Sequence, residues 1–267
     1  MTPARLRERL LPRGPLDLLV QFAVIAAAYI AWRYARGAVA GGMEQSFAHA
    51  RDLVAAERAI GALFEPGLQE WTLSSGWAGE LARWGYANLH FKGSCLMLAL
   101  LYFGYRGSYG FVRNTVLAAM AISVACYALY PTAPPRFLPE LGLDASSAVT
   151  GNQPHLSAPG DPLFNPFAAV PSMHVGLSVI FAWSLALLVR PRALKALFFA
   201  YPLLMTYVVV ASGNHYWLDA LLGVIAAADA AAAAILLARV NPDWAFRRES
   251  RPEPAPATDP EPEAAPA

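Results

Sequence analysis

Two histidines and one aspartate are the residues of this chain whose types and spacing best suit chemistry. His215 and Asp219 are four residues apart, so a helix would place both on one face. A carboxylate there can accept the proton of one ring nitrogen and make the other nitrogen a better nucleophile. Such a pair alone is more often a structural hydrogen bond. A second histidine, His174, could protonate a leaving oxygen, and the three together favour transfer of a group through a histidine nucleophile.

Several groups near these residues could bind a phosphate. His174 lies in the segment AVPSMHVG, in which Pro171 suits the first turn of a helix. The free N–H groups of that turn and the Ser172 hydroxyl would form a cradle for an anion. Arg136, in YPTAPPRF, is a candidate cation. Lys92 either supplies a further positive charge or is a structural residue that snorkels or forms an ion pair.

The composition indicates a membrane protein. Of 267 residues, 57% are hydrophobic and only 15% are charged, whereas soluble domains contain roughly 25% charged residues. The net charge of +1 gives no concentrated basic face, so nucleic acid is not an expected partner.

Six apolar stretches approach the roughly 20 residues that a membrane-spanning helix needs. They cover residues 16–35, 82–104, 112–130, 172–190, 194–212 and 216–238. Between the first two, segment 43–76 alternates apolar and charged residues, which predicts an amphipathic helix in the membrane interface. The predicted fold is therefore an all-α, polytopic membrane protein with six transmembrane helices and one interfacial helix. Residues 1–248 would form the catalytic domain, and the Pro-, Ala- and Glu-rich residues 249–267 a disordered cytoplasmic tail.

The distribution of Lys and Arg predicts how the chain crosses the membrane, because positively charged loops stay in the cytoplasm. The N-terminus, the connections after the second and fourth spans, and the C-terminal flank are all basic. In the loop 131–170, Arg136 is the only Lys or Arg, and segment 33–76 contains both basic and acidic residues. We therefore expect a multi-pass protein of the cell membrane with both termini in the cytoplasm. His174, His215 and Arg136 would then share the extracytoplasmic side.

The motifs that contain these residues resemble those of the membrane-bound type 2 phosphatidic acid phosphatase superfamily. Its second motif reads Pro-Ser-x-His, which PSMH at 171–174 fits, and its third ends in His-x3-Asp, which HYWLD at 215–219 fits. The resemblance implies that His215 becomes phosphorylated, that Asp219 orients it, and that His174 is the acid for the leaving group.

Two departures from the family pattern concern positive charge. Val208 and Val209 stand where the phosphatases usually have Ser-Arg, and Leu129 stands where a Lys should precede Arg136 by seven residues. A phosphate monoester carries about −1.5 to −2 charge near pH 7, so a site with few cations would suit a singly charged diester better. Without these cations, the motifs resemble those of the inositol phosphorylceramide and sphingomyelin synthase branch, whose members move a phospho-headgroup from one lipid to another acceptor.

The sequence thus predicts an integral membrane phosphatase or phosphotransferase that acts on a lipid phosphate ester at the outer face through a phosphohistidine. The alternative within this chemistry is a synthase-like transferase of phosphodiester headgroups. The alternative from another class is a proton-coupled transporter, although such proteins tend to place ionisable groups near the bilayer midplane. No metal or cofactor is expected, because Arg136, helix amides and protonated His174 would balance the phosphate charge. The expected partners are a lipid phosphate and membrane lipids, and the oligomeric state is left open.

Overall fold

The structure, a computed structural model, describes residues 14–144 and 164–240, and this part of the chain is built from helices. The predicted tail 249–267 lies outside the described residues. Within the described ranges, nine α-helices follow in order: α1 Gly14–Ala38, α2 Met43–Ala59, α3 Glu65–Ser74, α4 Gly76–Asn88, α5 Phe91–Gly104, α6 Arg106–Leu129, α7 Met173–Leu188, α8 Arg192–Ala211 and α9 Trp217–Val240. The all-α prediction is confirmed.

The lengths and compositions of these helices are those of a polytopic membrane protein. Among the described residues, α1, α6, α8 and α9 are each long and apolar enough to cross a membrane. Helices α5 and α7 are apolar but shorter, with 14 and 16 residues. The predicted interfacial segment 43–76 forms two helices, α2 and α3. They separate after α2 because Gly61 adopts a left-handed φ of 68°, a conformation that favours glycine after a helix end.

The stretch predicted as one continuous helix over 82–104 is interrupted in the structure. Helix α4 ends at Asn88, and α5 begins at Phe91. The hydroxyl of Tyr201, on α8, donates a hydrogen bond to the carbonyl oxygen of Leu89 at 2.9 Å and so satisfies a backbone group at the interruption. Non-helical backbone at membrane depth is tolerated where it is buried in protein or lines a cavity, and His90 does line one.

Helix α7 is the centre of the bundle and packs against α6, α8 and α9. Ten of its residues are buried, including Met173, Leu177 and Phe181 in the largest apolar core. The backbones of α7 and α9 meet at Gly176 and Gly223, where neither helix has a side chain to hold them apart. This close packing brings the first turn of α7 beside the first turn of α9.

Three connecting segments meet at that end of the bundle. The N–H of Thr132, after α6, donates to the carbonyl of Phe167 at 2.8 Å, and the N–H of Arg136 donates to the carbonyl of Gly213 at 3.0 Å. The Tyr216 hydroxyl donates to the carbonyl of Ala133 at 3.0 Å. The loop after α6, the segment before α7 and the turn before α9 are therefore joined by backbone hydrogen bonds.

Candidate active site

His215 and Asp219 form a buried hydrogen-bonded pair at the start of α9. The Nδ1 atom of His215 lies 3.0 Å from Oδ1 and 3.2 Å from Oδ2 of Asp219, whose side chain is fully buried. The N–H of Tyr216 also donates to Oδ2 of Asp219, at 3.1 Å, so the carboxylate is anchored to the turn that carries His215. An ionised carboxylate only accepts hydrogen bonds, so Nδ1 of His215 is the protonated nitrogen.

His174 completes the set from the neighbouring helix. Its Nδ1 atom lies 3.1 Å from Nε2 of His215. Because His215 carries its proton on Nδ1, its Nε2 has a free lone pair and is the acceptor in this contact. His174 must therefore donate from Nδ1. The arrangement gives His215 the tautomer of a nucleophile and places a proton donor beside it.

Two buried glutamates also contact the start of α9. The N–H of Trp217 donates to Oε1 of Glu65 at 3.1 Å, and the N–H of Leu218 donates to Oε1 of Glu57 at 3.2 Å. Both glutamates are fully buried. Burial and the neighbouring Glu65 carboxylate raise the pKa of Glu57. Glu57 belongs to segment 43–76, whose alternation of apolar and charged residues predicts an interfacial helix, and only the tertiary structure shows that it contacts α9.

A polar cavity of about 280 Å³ opens in front of the two histidines. His90, at the interruption between α4 and α5, lines it, and its ring centroid is 4.1 Å from that of His174. Helix α1 also lines the cavity, with residues that include Arg33 and Arg36. Neither arginine was predicted as a site residue, and both lie in segment 33–76, whose mixed charge gave no clear topology signal. One signal was available in the sequence. Arg33 and Arg36 are three residues apart, so they share a helix face, and they lie at the end of the first span that is on the same side as the predicted site.

The structure places the three predicted phosphate ligands differently. Arg136 is adjacent to the turn before α9: its guanidinium donates to the Oδ1 atom of Asn214, the residue before His215. Ser172 is fully buried and caps α7, where its Oγ accepts the N–H of Val175 at 3.5 Å. Lys92 is exposed, and its ammonium group donates to Asn88 at 2.7 Å.

None of these three is among the described residues that line the polar cavity. Ser172 is kept away because Pro171 precedes the helix rather than starting it, which makes Ser172 the N-cap. Lys92 is kept away because the first turn of α5 directs its side chain to the outer surface of the bundle.

The motif positions that lack their usual cations are also explained by the structure. Val209 is fully buried in an apolar cluster with Val175 and Ala220. Leu129, at the end of α6, is 80% exposed. Neither is among the described residues that line the cavity, where Arg33 and Arg36 are the cations. The count of positive charge made from the motifs was therefore incomplete, and it no longer favours a diester over a monoester.

A second cavity, of about 270 Å³, adjoins the polar one and is lined almost entirely by apolar side chains. The two cavities share five lining residues: Tyr29, Trp32, His90, Phe91 and Met173. The apolar cavity then continues between α1 and the helices α5, α6 and α7. A molecule with a charged head and a hydrocarbon tail would match this pair of cavities.

Comparison with models of protein families gives a match to the PAP2 superfamily over residues 51–234. The matched part includes His174, His215 and Asp219 and covers more than half of the chain, so the chain belongs to the PAP2 superfamily. This confirms the resemblance to the type 2 phosphatidic acid phosphatases, while the synthase-like branch stays a prediction. Members of the superfamily are phosphatases and phosphotransferases, which makes this chain an enzyme of that general kind. Searches of curated proteins and of solved structures gave no match.

Proposed function

We propose that this member of the PAP2 superfamily transfers the phosphoryl group of a lipid phosphate ester through a phosphohistidine formed at His215. One observation carries the proposal: His215 is held between Asp219, 3.0 Å from its Nδ1, and His174, 3.1 Å from its Nε2. A histidine with its Nδ1 proton bonded to a buried carboxylate has the other nitrogen available for attack.

In the proposed first step, the lone pair on Nε2 of His215 attacks phosphorus and forms the P–N bond. The bond from phosphorus to the ester oxygen breaks, and its electron pair stays on that oxygen. His174 acts as an imidazolium in this step: it gives its Nδ1 proton to the ester oxygen and keeps the proton on Nε2, so a neutral ring remains. Asp219 remains ionised and stabilises the positive charge that develops on the His215 ring. In the second step, an acceptor hydroxyl gives its proton to Nδ1 of His174, and its oxygen attacks phosphorus. The P–N bond breaks and its electron pair returns to Nε2 of His215, so both histidines regain their starting protonation.

Substrate binding must separate the two histidines. A distance of 3.1 Å between Nδ1 of His174 and Nε2 of His215 is a direct hydrogen bond and leaves no room for a phosphorus atom between them. In the empty site, the Nδ1 proton of His174 is held in its hydrogen bond to His215. Once the two rings separate, that proton can bond to the ester oxygen instead. We propose that this exchange of hydrogen bonds accompanies entry of the phosphate into the polar cavity.

The acceptor decides between the two versions of the reaction. Water gives a phosphatase, and a lipid or polyol hydroxyl gives a phosphotransferase, with the same residues acting in both. We propose that either reaction takes place at the extracytoplasmic face. Support comes from the low count of Lys and Arg in loop 131–170, which joins the turn before α9 at this end of the bundle.

The decisive experiment is to trap the intermediate. Purified protein in detergent would be mixed with a lipid substrate radiolabelled in its phosphate, quenched in alkali and tested for label that is stable to base and lost in acid, as expected of phosphohistidine. His215→Ala should give no label. His49→Ala should be labelled like the wild type, since His49 is on α2 and contacts the carbonyl of Pro131. Label in His215→Ala would contradict the proposal, and free phosphate measured beside new phospholipid would separate phosphatase from phosphotransferase.

A further inference from the structure

Helix α1 is attached to the bundle mainly at its two ends. Near its start, Asp17 accepts hydrogen bonds from Tyr102 at 2.9 Å and from Arg106 at 2.6 Å. Near its end, the indole N–H of Trp32 donates to Ser123 on α6 at 2.9 Å. Between these attachments, the apolar cavity lies beside Phe22 and Ala26 of α1, and the Tyr29 ring packs against Phe91 of α5 at its edge. The two attachments therefore lie on either side of the cavity.

The charged end of α1 and the apolar cavity make one continuous site. Arg33 and Arg36 lie one turn apart near the end of α1 and line the polar cavity together with His174 and His215. Trp32, on the same helix, lines both cavities. A single elongated molecule could thus contact the arginines with its anionic head and the space beside Phe22 and Ala26 with its tail.

Helix α1 lies outside the residues that match the PAP2 superfamily, which begin at residue 51. The family match therefore assigns it no role in binding. The arginines also supply charge that the motifs lack, because Leu129 and Val209 occupy the positions of the missing cations. Arg presents a planar fork of donors that fits phosphate oxygens in pairs.

We propose that α1 forms one wall of the lipid substrate site, with Arg33 and Arg36 binding the substrate phosphate in front of His215 and the apolar cavity holding a hydrocarbon chain of the same molecule. The inference rests on the proposed function, and it specifies an anionic lipid that enters sideways from the bilayer between α1 and α5. Two cations that line the same cavity as the nucleophile can balance both charges of a phosphate monoester.

The chain site is tested by filling it. Ala26 lines the apolar cavity, whereas its neighbour Ala27 is exposed and is not among the lining residues. In mixed micelles at a fixed surface fraction of substrate, Ala26→Phe should lower kcat/KM for a 16-carbon lipid phosphate by roughly tenfold or more, as overpacking does. The same variant should leave a four-carbon substrate unaffected, and Ala27→Phe should change neither. Ser94→Phe fills the cavity from α5 and keeps the test independent of the folding of α1.

The head site is tested by removing its charge. Arg33→Gln and Arg36→Gln should each raise KM for a lipid phosphomonoester by about tenfold or more, because a charge-assisted hydrogen bond to phosphate is lost. The matched control is Arg51→Gln, an exposed arginine on α2 that pairs with Glu140. It removes the same charge without touching either cavity.

The outcomes separate this inference from the proposed function. If His215→Ala loses the phosphohistidine while the arginine and cavity-filling variants keep wild-type KM at every chain length, the mechanism stands and the lipid site on α1 is wrong. If Arg51→Gln raises KM as much as Arg36→Gln, surface charge rather than a binding site explains the effect. If His215→Ala remains labelled, the proposed function fails, whatever the α1 variants do.

Discussion

Gly176 of α7 lies directly against the backbone of Gly223 of α9: a methyl group at Gly176 would be 2.9 Å from the carbonyl oxygen of Gly223. Real side chains are not found at such a distance, so any larger residue must move one helix. His174 is two residues before Gly176, and His215 precedes α9, so the distance between the two histidines depends on this contact. The pair of glycines sets the geometry of the active site as well as the packing of the bundle.

We therefore expect Gly176→Ala to reduce both activity and stability. The overpacked contact should cost about 1–3 kcal/mol of stability, while a shift of the histidines by a fraction of an ångström should lower kcat by up to roughly 100-fold. The measurements are kcat and the Tm of the purified protein. The control is Gly107→Ala on α6, where an added Cβ meets no atom within 4 Å. Unchanged kcat in Gly176→Ala would show that the helix crossing does not position the histidines.

Asp219→Asn should leave a folded protein with very little activity. The asparagine oxygen can still accept the N–H of Tyr216, which Asp219 now accepts at 3.1 Å. Its amide nitrogen, however, would donate to Nδ1 of His215 and move the ring proton to Nε2. A nucleophile with the wrong tautomer is expected to slow by about 10⁴-fold, as in other triads. A Tm near that of the wild type with kcat close to normal would contradict the assigned tautomer.

The Glu57 and Glu65 pair should make stability depend on pH. Since the pKa of Glu57 is raised by burial and by Glu65, the folded protein holds a proton that the unfolded chain releases. The contribution of Glu57 to stability should then be largest below the ordinary glutamate pKa of about 4.3 and be lost as the pH rises through the raised value. Glu57→Gln should flatten the slope of Tm against pH, because an amide does not titrate. Glu44→Gln, on an exposed position of the same helix, should keep the wild-type slope.

Much of the fold could be predicted because apolar stretches and local spacing are visible in the sequence. The four-residue spacing of His215 and Asp219 led to their contact, since a helix fixes the geometry of residues so close in sequence. The position of His174 near His215 was also predictable, because the predicted topology put the starts of their two helices on the same side of the membrane. These inferences needed only the period and the length of the helices.

The remaining features depend on contacts between residues far apart in the chain. The interruption at His90 is stabilised by the Tyr201 hydroxyl, 112 residues from Leu89. Arg36 reaches the cavity because Trp32 holds α1 to Ser123, 91 residues away. Neither contact has a signature in local composition. The same is true of Glu57, whose bond to the N–H of Leu218 spans 161 residues.

Sidedness can be tested with single cysteines in a chain that lacks Cys95 and Cys126. Glu140→Cys lies in the loop after α6, at the histidine end of the bundle, and Ala193→Cys lies at the start of α8, at the other end. We expect an impermeant thiol reagent added to intact cells to label position 140 but not 193, because the connection before α8 is basic. Labelling of both after permeabilisation is the control. The reverse pattern would place the active site in the cytoplasm.

Arg136 is expected to have a different role from Arg33 and Arg36, the two arginines of α1. The guanidinium of Arg136 donates to Asn214, in the turn that carries His215. It also lies over the ring of Phe137, its neighbour in the loop after α6, 4.7 Å from the ring centroid. Arg33 and Arg36 line the cavity itself. A residue that positions the nucleophile should affect all substrates alike, whereas a residue that balances phosphate charge should affect the more highly charged ester more.

We therefore expect Arg136→Lys to lower kcat for a lipid phosphomonoester and for its matched diester by the same factor, because an ammonium group does not reproduce the planar contact with Asn214. Arg33→Gln should instead lower kcat/KM for the monoester more than for the diester, since the monoester carries up to one more negative charge near pH 7. The measurement is the ratio of kcat/KM for the two esters in the wild type and in each variant. If this ratio changes in Arg136→Lys and is unchanged in Arg33→Gln, the prediction is wrong, and Arg136 rather than α1 binds the phosphate.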